Sequence, residues 1–351
     1  MQLGPLSVAV SLAAAFILSP PAAAPASAQT KPVVEGPSLN WKLGAWGKRR
    51  AASENVEKLK EYVEQRTGGK FKINIGYESY GSPKELLDLL HVGALEMTNI
   101  CASYHPEKLP AYSVMDLPLL PIPNPDVQER VHLAVHEHPV IKAEFAKWNA
   151  MPYLSSLLPN NEFVGKGKPP ASLDDFKGMR VRAIGGIGDA MKRLGAIPTS
   201  VDATEVYSAV ERGMVDAAAF PMTYAHVSYR INEVGKWYTE NMALGRVSCP
   251  TLISLNHWAK LPQAYKDLLK EAQPVAHAAV KAAYGVADEK NMPLFKKLTA
   301  VHFSEAELAT FRKIAGEPIW EEWVTQREGQ GIPGRELLNF VLKTARGGPT
   351  G

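Results

Sequence analysis

The stretch Ser172 to Pro221, SLDDFKGMRVRAIGGIGDAMKRLGAIPTSVDATEVYSAVERGMVDAAAFP, constrains the fold more than any other. Val181 and Ala183 alternate with Arg180 and Arg182, the period-2 pattern of a short strand. Asp174-Asp175 before it read as a cap and first turn, and Gly178 as the break into the strand. Ile184-Gly185-Gly186-Ile187-Gly188 then feeds a helix with Ala190, Met191 and Leu194 on its apolar face. Such a turn offers free N–H groups at the positive end of a helix dipole. Thr204 to Arg212 reads as a second helix, ended by Gly213, and Val215 to Phe220 as the last strand of the unit. Arg182 falls at the carboxyl end of its strand, where open α/β sheets bind ligands. Its planar fork of donors matches a carboxylate. A solvated strand-end charge is the plainer role, and residue type alone favours it.

The 351 residues suffice for two domains with separate cores. Met1 to Ala28 contains no Asp, Glu, Lys or Arg, and Leu6 to Leu18 is apolar. Ala26-Ser27-Ala28 is a small-x-small cleavage signature, so residues 1–28 read as an export signal cut before Gln29. A retained anchor is the rival reading, but the apolar run falls short of the ~20 residues a span needs. The expected location is therefore the periplasm. A net charge of +3, with bases dispersed among acids, argues against nucleic acid as a partner. Only Lys48-Arg49-Arg50 cluster, as a solvated helix start or as a contact for an anionic ligand or a membrane partner. Cys101 and Cys249 are the only cysteines. An exported chain permits a disulfide between them, and two buried thiols fit equally.

Leu39 to Trp46 alternates as a first strand, with Trp46 at its carboxyl end. Ala51 to Arg66 is an amphipathic helix, and Phe71, Ile73 and Ile75 mark a second strand. Ser82-Pro83 opens a helix with Leu86, Leu87, Leu89 and Leu90 on its apolar face, and Leu95 to Ile100 is a third strand. This order begins a doubly wound α/β sheet. Val127 to Trp148 is helical with a break at Pro139. Met151 to Leu158 reads as a strand crossing to a second domain, and Val247 to Leu255 as the return. Paired crossings make a hinge. Pro262 to Lys290 is a long helix with a kink at Pro274, and Glu305 to Ala315, Ile319 to Arg327 and a last segment are further helices.

Position then nominates a cleft. Trp46 ends strand one, Tyr80 follows strand two, and Asn99 and Tyr104 lie at or beyond strand three. Asn161 follows the crossing, Phe220 ends the last strand, and Met222 and Tyr224 come just after. Core packing is the competing role for each aromatic residue. His132, His136 and His138 share one helix, and the first two have a metal-ligand spacing. Leu133 stands where a zinc protease needs Glu, so surface helix histidines are the stronger reading. No Gly-x-Ser-x-Gly elbow or complete phosphate loop is present.

The order KGMRVRA, LGAIP, EVYSAVERGMVDAAAFP resembles the substrate-binding proteins of TRAP transporters. Thr67-Gly68-Gly69-Lys70-Phe71-Lys72-Ile73, Gly93-Ala94-Leu95-Glu96-Met97, Tyr104-His105-Pro106 with Pro110, and Leu117-Pro118 extend the resemblance over most of the chain. It implies an α/β, two-domain periplasmic binding protein (type II-like) with hinge strands and a long C-terminal helical segment. Domain I would take residues 38–156 plus about 247–290, and domain II residues 157–246. Residues 291–351 would be C-terminal helices packing on both. It implies a receptor, not an enzyme, with no cofactor and no metal. The receptor would be monomeric, hold an organic acid by Arg182 and hand it to a TRAP membrane permease. An ABC-type receptor or a metal-dependent periplasmic enzyme are the alternatives. One departure matters. Family members that bind acidic sugars or C4-dicarboxylates carry Asn-Pro after the V-D-G motif, where this chain has Phe220-Pro221. The expected ligand is therefore a monocarboxylate with an apolar or aromatic body.

Overall fold

The computed structural model describes residues 33–347 together with Met1, Gln2 and Gly4, so the leader expected over residues 1–28 lies almost wholly outside the described residues. The chain forms β1 (Leu39–Ala45), α1 (Glu54–Arg66), β2 (Phe71–Tyr77), α2 (Leu86–His91) and β3 (Met97–Asn99). It continues through α3 (Pro125–Glu137), α4 (Pro139–Ala146) and β4 (Ala150–Ser155). Then come β5 (Asn161–Gly165), β6 (Arg180–Arg182), α5 (Gly185–Arg193), β7 (Ile197–Thr199), α6 (Val206–Glu211) and β8 (Ala217–Pro221). After them follow α7 (Tyr224–Ser228), α8 (Ile231–Val234), β9 (Trp237–Thr239), β10 (Pro250–Ser254), α9 (Leu255–Lys260) and α10 (Gln263–Phe295). The chain closes with β11 (Thr299–Val301), α11 (Glu305–Ala315), α12 (Glu317–Gly329) and α13 (Gly334–Ala345).

Two mixed sheets result, each the centre of a lobe. The first has the order β2-β1-β3-β10-β4, the second β11-β9-β5-β8-β6-β7. In the first, β1 runs parallel to β2 and β3, and β10 returns antiparallel between β3 and β4. In the second, β6 runs parallel to β7 and β8, while β5 is antiparallel to β8 and β9. The α/β start of the chain matches its sequence pattern because each helix buries one apolar face. Val56, Leu59 and Val63 of α1 lie against Phe71 and Ile73 in one core cluster.

Val215 to Phe220 is not the last strand of the second sheet: β9 and β11 add to its far edge, and β11 comes from the stretch expected as C-terminal helices. The segment after Asn160 is strand β5, all five residues buried. The two crossings run side by side. The Ser156 N–H donates to the Cys249 carbonyl at 3.1 Å, and the Asn161 N–H to that of Gly245 at 2.9 Å.

Helix α10 has 33 residues and contains both Pro274 and Pro293. At 1.5 Å per residue it is about 50 Å long and reaches both lobes. His277 accepts from the Ser155 N–H at 3.0 Å near the first sheet, and Asp288 accepts from the Thr223 N–H at 3.1 Å beside the second. The last helices also touch both lobes. Trp320 Nε1 donates to the Pro118 carbonyl at 2.7 Å, while Glu322 of the same helix pairs with Arg193 of α5. Arg130 of α3 donates to the Thr344 and Ala345 carbonyls at 3.1 and 3.0 Å, satisfying the end of α13. Among the described residues no helix is long and apolar enough to cross a membrane.

Candidate functional site

A cavity of about 450 Å³ lies between the two sheets. From the first lobe, Trp46 follows β1, Asn99 ends β3, and Tyr104 stands just beyond. From the second, Arg182 ends β6 and Phe220 lies near the end of β8. Asn161 opens β5 at the crossing, and the Cys101–Cys249 disulfide forms part of the wall. The pairing left open by the sequence is thus settled: the bond joins the segment after β3 to the returning crossing. No carboxylate lines this cavity among the described residues.

Arg180 and Arg182 sit two residues apart on β6 and have opposite surroundings. Arg180 is half exposed and pairs with Asp216, Nη2 to Oδ1 at 2.5 Å. Arg182 is only 2% exposed and has no acidic partner among the described residues. Its Nε donates to the Val201 carbonyl at 3.1 Å, Nη1 to the Ala219 carbonyl at 2.9 Å, and Nη2 to the Tyr104 hydroxyl at 2.9 Å. Three of five donors are used, leaving one N–H on each terminal nitrogen. Phe220 lies under the guanidinium, 4.2 Å from ring centroid to Cζ. The ring holds the cation by its face while offering it no acceptor.

The Tyr104 hydroxyl accepts from Arg182 and, at 3.1 Å, from the Ala203 N–H, so its own proton can be donated into the cavity. Burial raises this phenol's pKa and the Arg182 charge partly opposes the rise. It stays protonated, a neutral donor beside the cation.

Six of the eight sequence-nominated residues line the cavity: Arg182, Phe220, Trp46, Asn161, Tyr104 and Asn99. Tyr80 does not. It is 38% exposed and folds back over Gly76, where an added Cβ would lie 2.2 Å from its ring. Met222 is half buried in the main core, outside the cavity, and donates its N–H to the Asn160 carbonyl. The glycine-rich turn also has a different use from the one its sequence suggests. A Cβ on Gly186 would lie 2.3 Å from the Asp116 carbonyl, so glycine lets the start of α5 abut the first lobe. Of that turn only Ile184 lines the cavity.

The sequence did not single out Tyr229 and did not separate Arg50 from its basic neighbours, yet both line the cavity with Tyr224. Gly47, at φ +67°, makes room there: an added Cβ would sit 3.1 Å from Arg50 Nη1 and 3.2 Å from the Tyr229 hydroxyl. The histidines expected on a helix surface are buried instead. His132 Nδ1 bonds Ser155 Oγ at 2.8 Å, His136 Nε2 bonds the Tyr112 hydroxyl at 2.9 Å, and His138 lies 3.3 Å from Glu336. Core hydroxyls on neighbouring elements hold His132 and His136 in a buried polar layer, while His138 pairs with a carboxylate of α13.

Fold and cavity together define an α/β binding protein with a cleft between two lobes. The chain belongs to the bacterial extracellular solute-binding protein family 7, whose model matches residues 44–326. It is similar to the C4-dicarboxylate-binding periplasmic protein of Rhodobacter capsulatus, 26% identical over 280 residues, 78% of this chain and 80% of that one. Two solved structures share its fold. One is a TRAP solute-binding protein from Rhodoferax ferrireducens in complex with copurified benzoate, with TM-score 0.78, 17% identity, and coverage of 88% and 98% of the two chains. The other is a marine metagenome TRAP solute-binding protein specific for aromatic acid ligands, in complex with 3-hydroxybenzoate, with TM-score 0.77, 19% identity, and coverage of 89% and 99%.

Proposed function

We propose that this protein is a periplasmic receptor, not an enzyme, that captures an organic acid in the interlobe cavity and delivers it to a TRAP permease. Its carboxylate would take the two remaining Arg182 donors, with the Tyr104 hydroxyl beside them. An aromatic or apolar body would lie among Trp46, Phe220 and Tyr224. The observation that carries this reading is a guanidinium, nearly fully buried, with no acidic partner and a neutral aromatic ring beneath it. A buried charge left unpaired costs several kcal/mol, and an anionic ligand would supply what the chain does not. The benzoate and 3-hydroxybenzoate held by the two structural relatives fit a cavity of this size and apolar character.

Residues 38–156 with about 247–290 would move as one domain, and 157–246 as the other. Bending would fall on the paired crossings near Ser156–Asn161 and Gly245–Cys249, where few bonds change. Export would remove residues 1–28, and mass spectrometry of exported protein should find Gln29 at its start.

A thermal-shift screen of the mature protein against aromatic, keto, branched and sugar acids tests the capture. A one-site ligand at 100 times its Kd adds about 2.7 kcal/mol of stability. An acid that stabilises the wild type and not Arg182→Ala supports the reading. Tight binding of uronic or sialic acids with no response to aromatic or branched acids would sink the aromatic pocket.

A further inference from the structure

A single carboxylate would leave this cavity with an unmatched charge, because a second guanidinium lines it. Arg50 reaches in from the first lobe, opposite Arg182. Its neighbour Arg49 turns outward and pairs with Glu54 at 2.8 Å. Arg50 has no acidic partner among the described residues. Its Nη1 donates to the Trp46 and Lys48 carbonyls at 2.8 and 3.0 Å, its side chain also bonds the Tyr224 hydroxyl, and among the described residues Nε and Nη2 reach no backbone carbonyl or carboxylate.

Aromatic rings hold it in place. Its Cζ lies 5.3 Å from the Trp46 centroid and 5.7 Å from that of Tyr229. Tyr229 stacks on Phe220 at 5.1 Å, and Phe220 carries Arg182. The two cations thus sit on different rings of a stacked pair and do not share one. Both face a cavity with a largely apolar wall and, among the described residues, no carboxylate in it, where like charges repel and an uncompensated one is costly. A monoanion at Arg182 offsets half of this charge. A dianion with separated ends offsets all of it.

We propose that Arg50 is a second anion anchor, and that the site takes an aromatic acid carrying a second anionic oxygen at the end remote from Arg182. This rests on the reading that a carboxylate docks on Arg182. Specificity then comes from the pair: Arg182 selects an acid, and Arg50 selects among acids by what stands at the far end.

The test is calorimetric titration of mature wild-type protein and Arg50→Gln with benzoate, benzene-1,3-dicarboxylate and benzene-1,4-dicarboxylate. The wild type should bind one dicarboxylate at least ~10-fold tighter than benzoate, a difference of about 1.4 kcal/mol. Arg50→Gln should shrink that preference to within about twofold by costing the dicarboxylate more than benzoate. Should the glutamine variant not fold, Arg50→Lys carries the same comparison: the shortened cation should cost the dicarboxylate more than benzoate. An equal cost to both acids, or a wild type that prefers benzoate or binds none of the three, overturns the assignment. Loss of another acid on Arg182→Ala, with no effect of Arg50→Gln, would leave the capture reading standing and remove only Arg50.

Discussion

Two buried polar regions meet at the crossings and differ in how their charges are matched. Beneath them lies a layer that is paired within the chain. Ser155 donates its N–H to His277 Nε2, so Nδ1 carries the proton and donates to Glu129 at 3.0 Å. His277 and then Lys281 hold the Glu129 carboxyl down to about 2. Tyr112 links His136 to Ser248, and the Ser248 N–H donates to Asp116 at 2.6 Å. In the cleft above, Arg182 and Arg50 have carbonyls, tyrosine hydroxyls and rings but, among the described residues, no acid. A polar group matched inside the protein supports the fold. One supported on its flanks and unmatched in front is set for a ligand. Stability should therefore track the layer, and affinity the cleft.

The largest effect expected of this division is on the pH dependence of stability. Burial pushes the Asp116 carboxyl up to about 7 against the Ser103 and Ser248 bonds. The folded state then holds this proton more tightly than the unfolded state does. The stability it contributes is complete below about pH 4 and lost as pH rises to about 7, on the order of 4 kcal/mol in all. Comparing chemical denaturation of wild type and Asp116→Asn at pH 5 and pH 8 isolates this slope. Parallel profiles would remove Asp116 from the account.

Next is Arg182→Ala, expected to weaken acid binding roughly 100-fold, about 3 kcal/mol, with a smaller change in unfolding free energy. A variant that unfolds instead would move Arg182 into the structural region and blur the contrast. His277→Ala should do the reverse. The orphaned Ser155 N–H should cost about 1–3 kcal/mol of stability with acid affinity unchanged. The smallest effect belongs to Arg180→Ala, which breaks a half-exposed pair and should change either quantity by under about 1 kcal/mol. If Arg180→Ala lowered affinity as Arg182→Ala does, the contrast along β6 would fail.

Elements that bury a continuous apolar face could be read from the chain. The helix α1, the break at Pro139 and α11 to α13 fall close to where periodicity puts them. The three-residue strands β3 and β6 lie in stretches that read as strands, whereas β7, β9 and β11 did not and are strands only by pairing with their neighbours. Strand β5 was not read from the sequence either, and its pairing with β8 is what extends it. The same limit governs the site. Tyr80 and Met222 were nominated by lying after strands, but position along the chain does not say which way a side chain turns. Arg50 could not be told from Lys48 and Arg49, since three adjacent bases carry identical local information.

By itself, the sequence determined the α/β order and the strand that ends in Arg182, which follow from local period and residue type; the Phe220 departure came from the family resemblance. Only the tertiary structure decided that Arg180 finds Asp216 while Arg182 does not, that Arg50 faces it from the other lobe, and that the histidines go inside. Whether a charge is matched depends on groups brought together from distant parts of the chain, and local pattern carries no record of them.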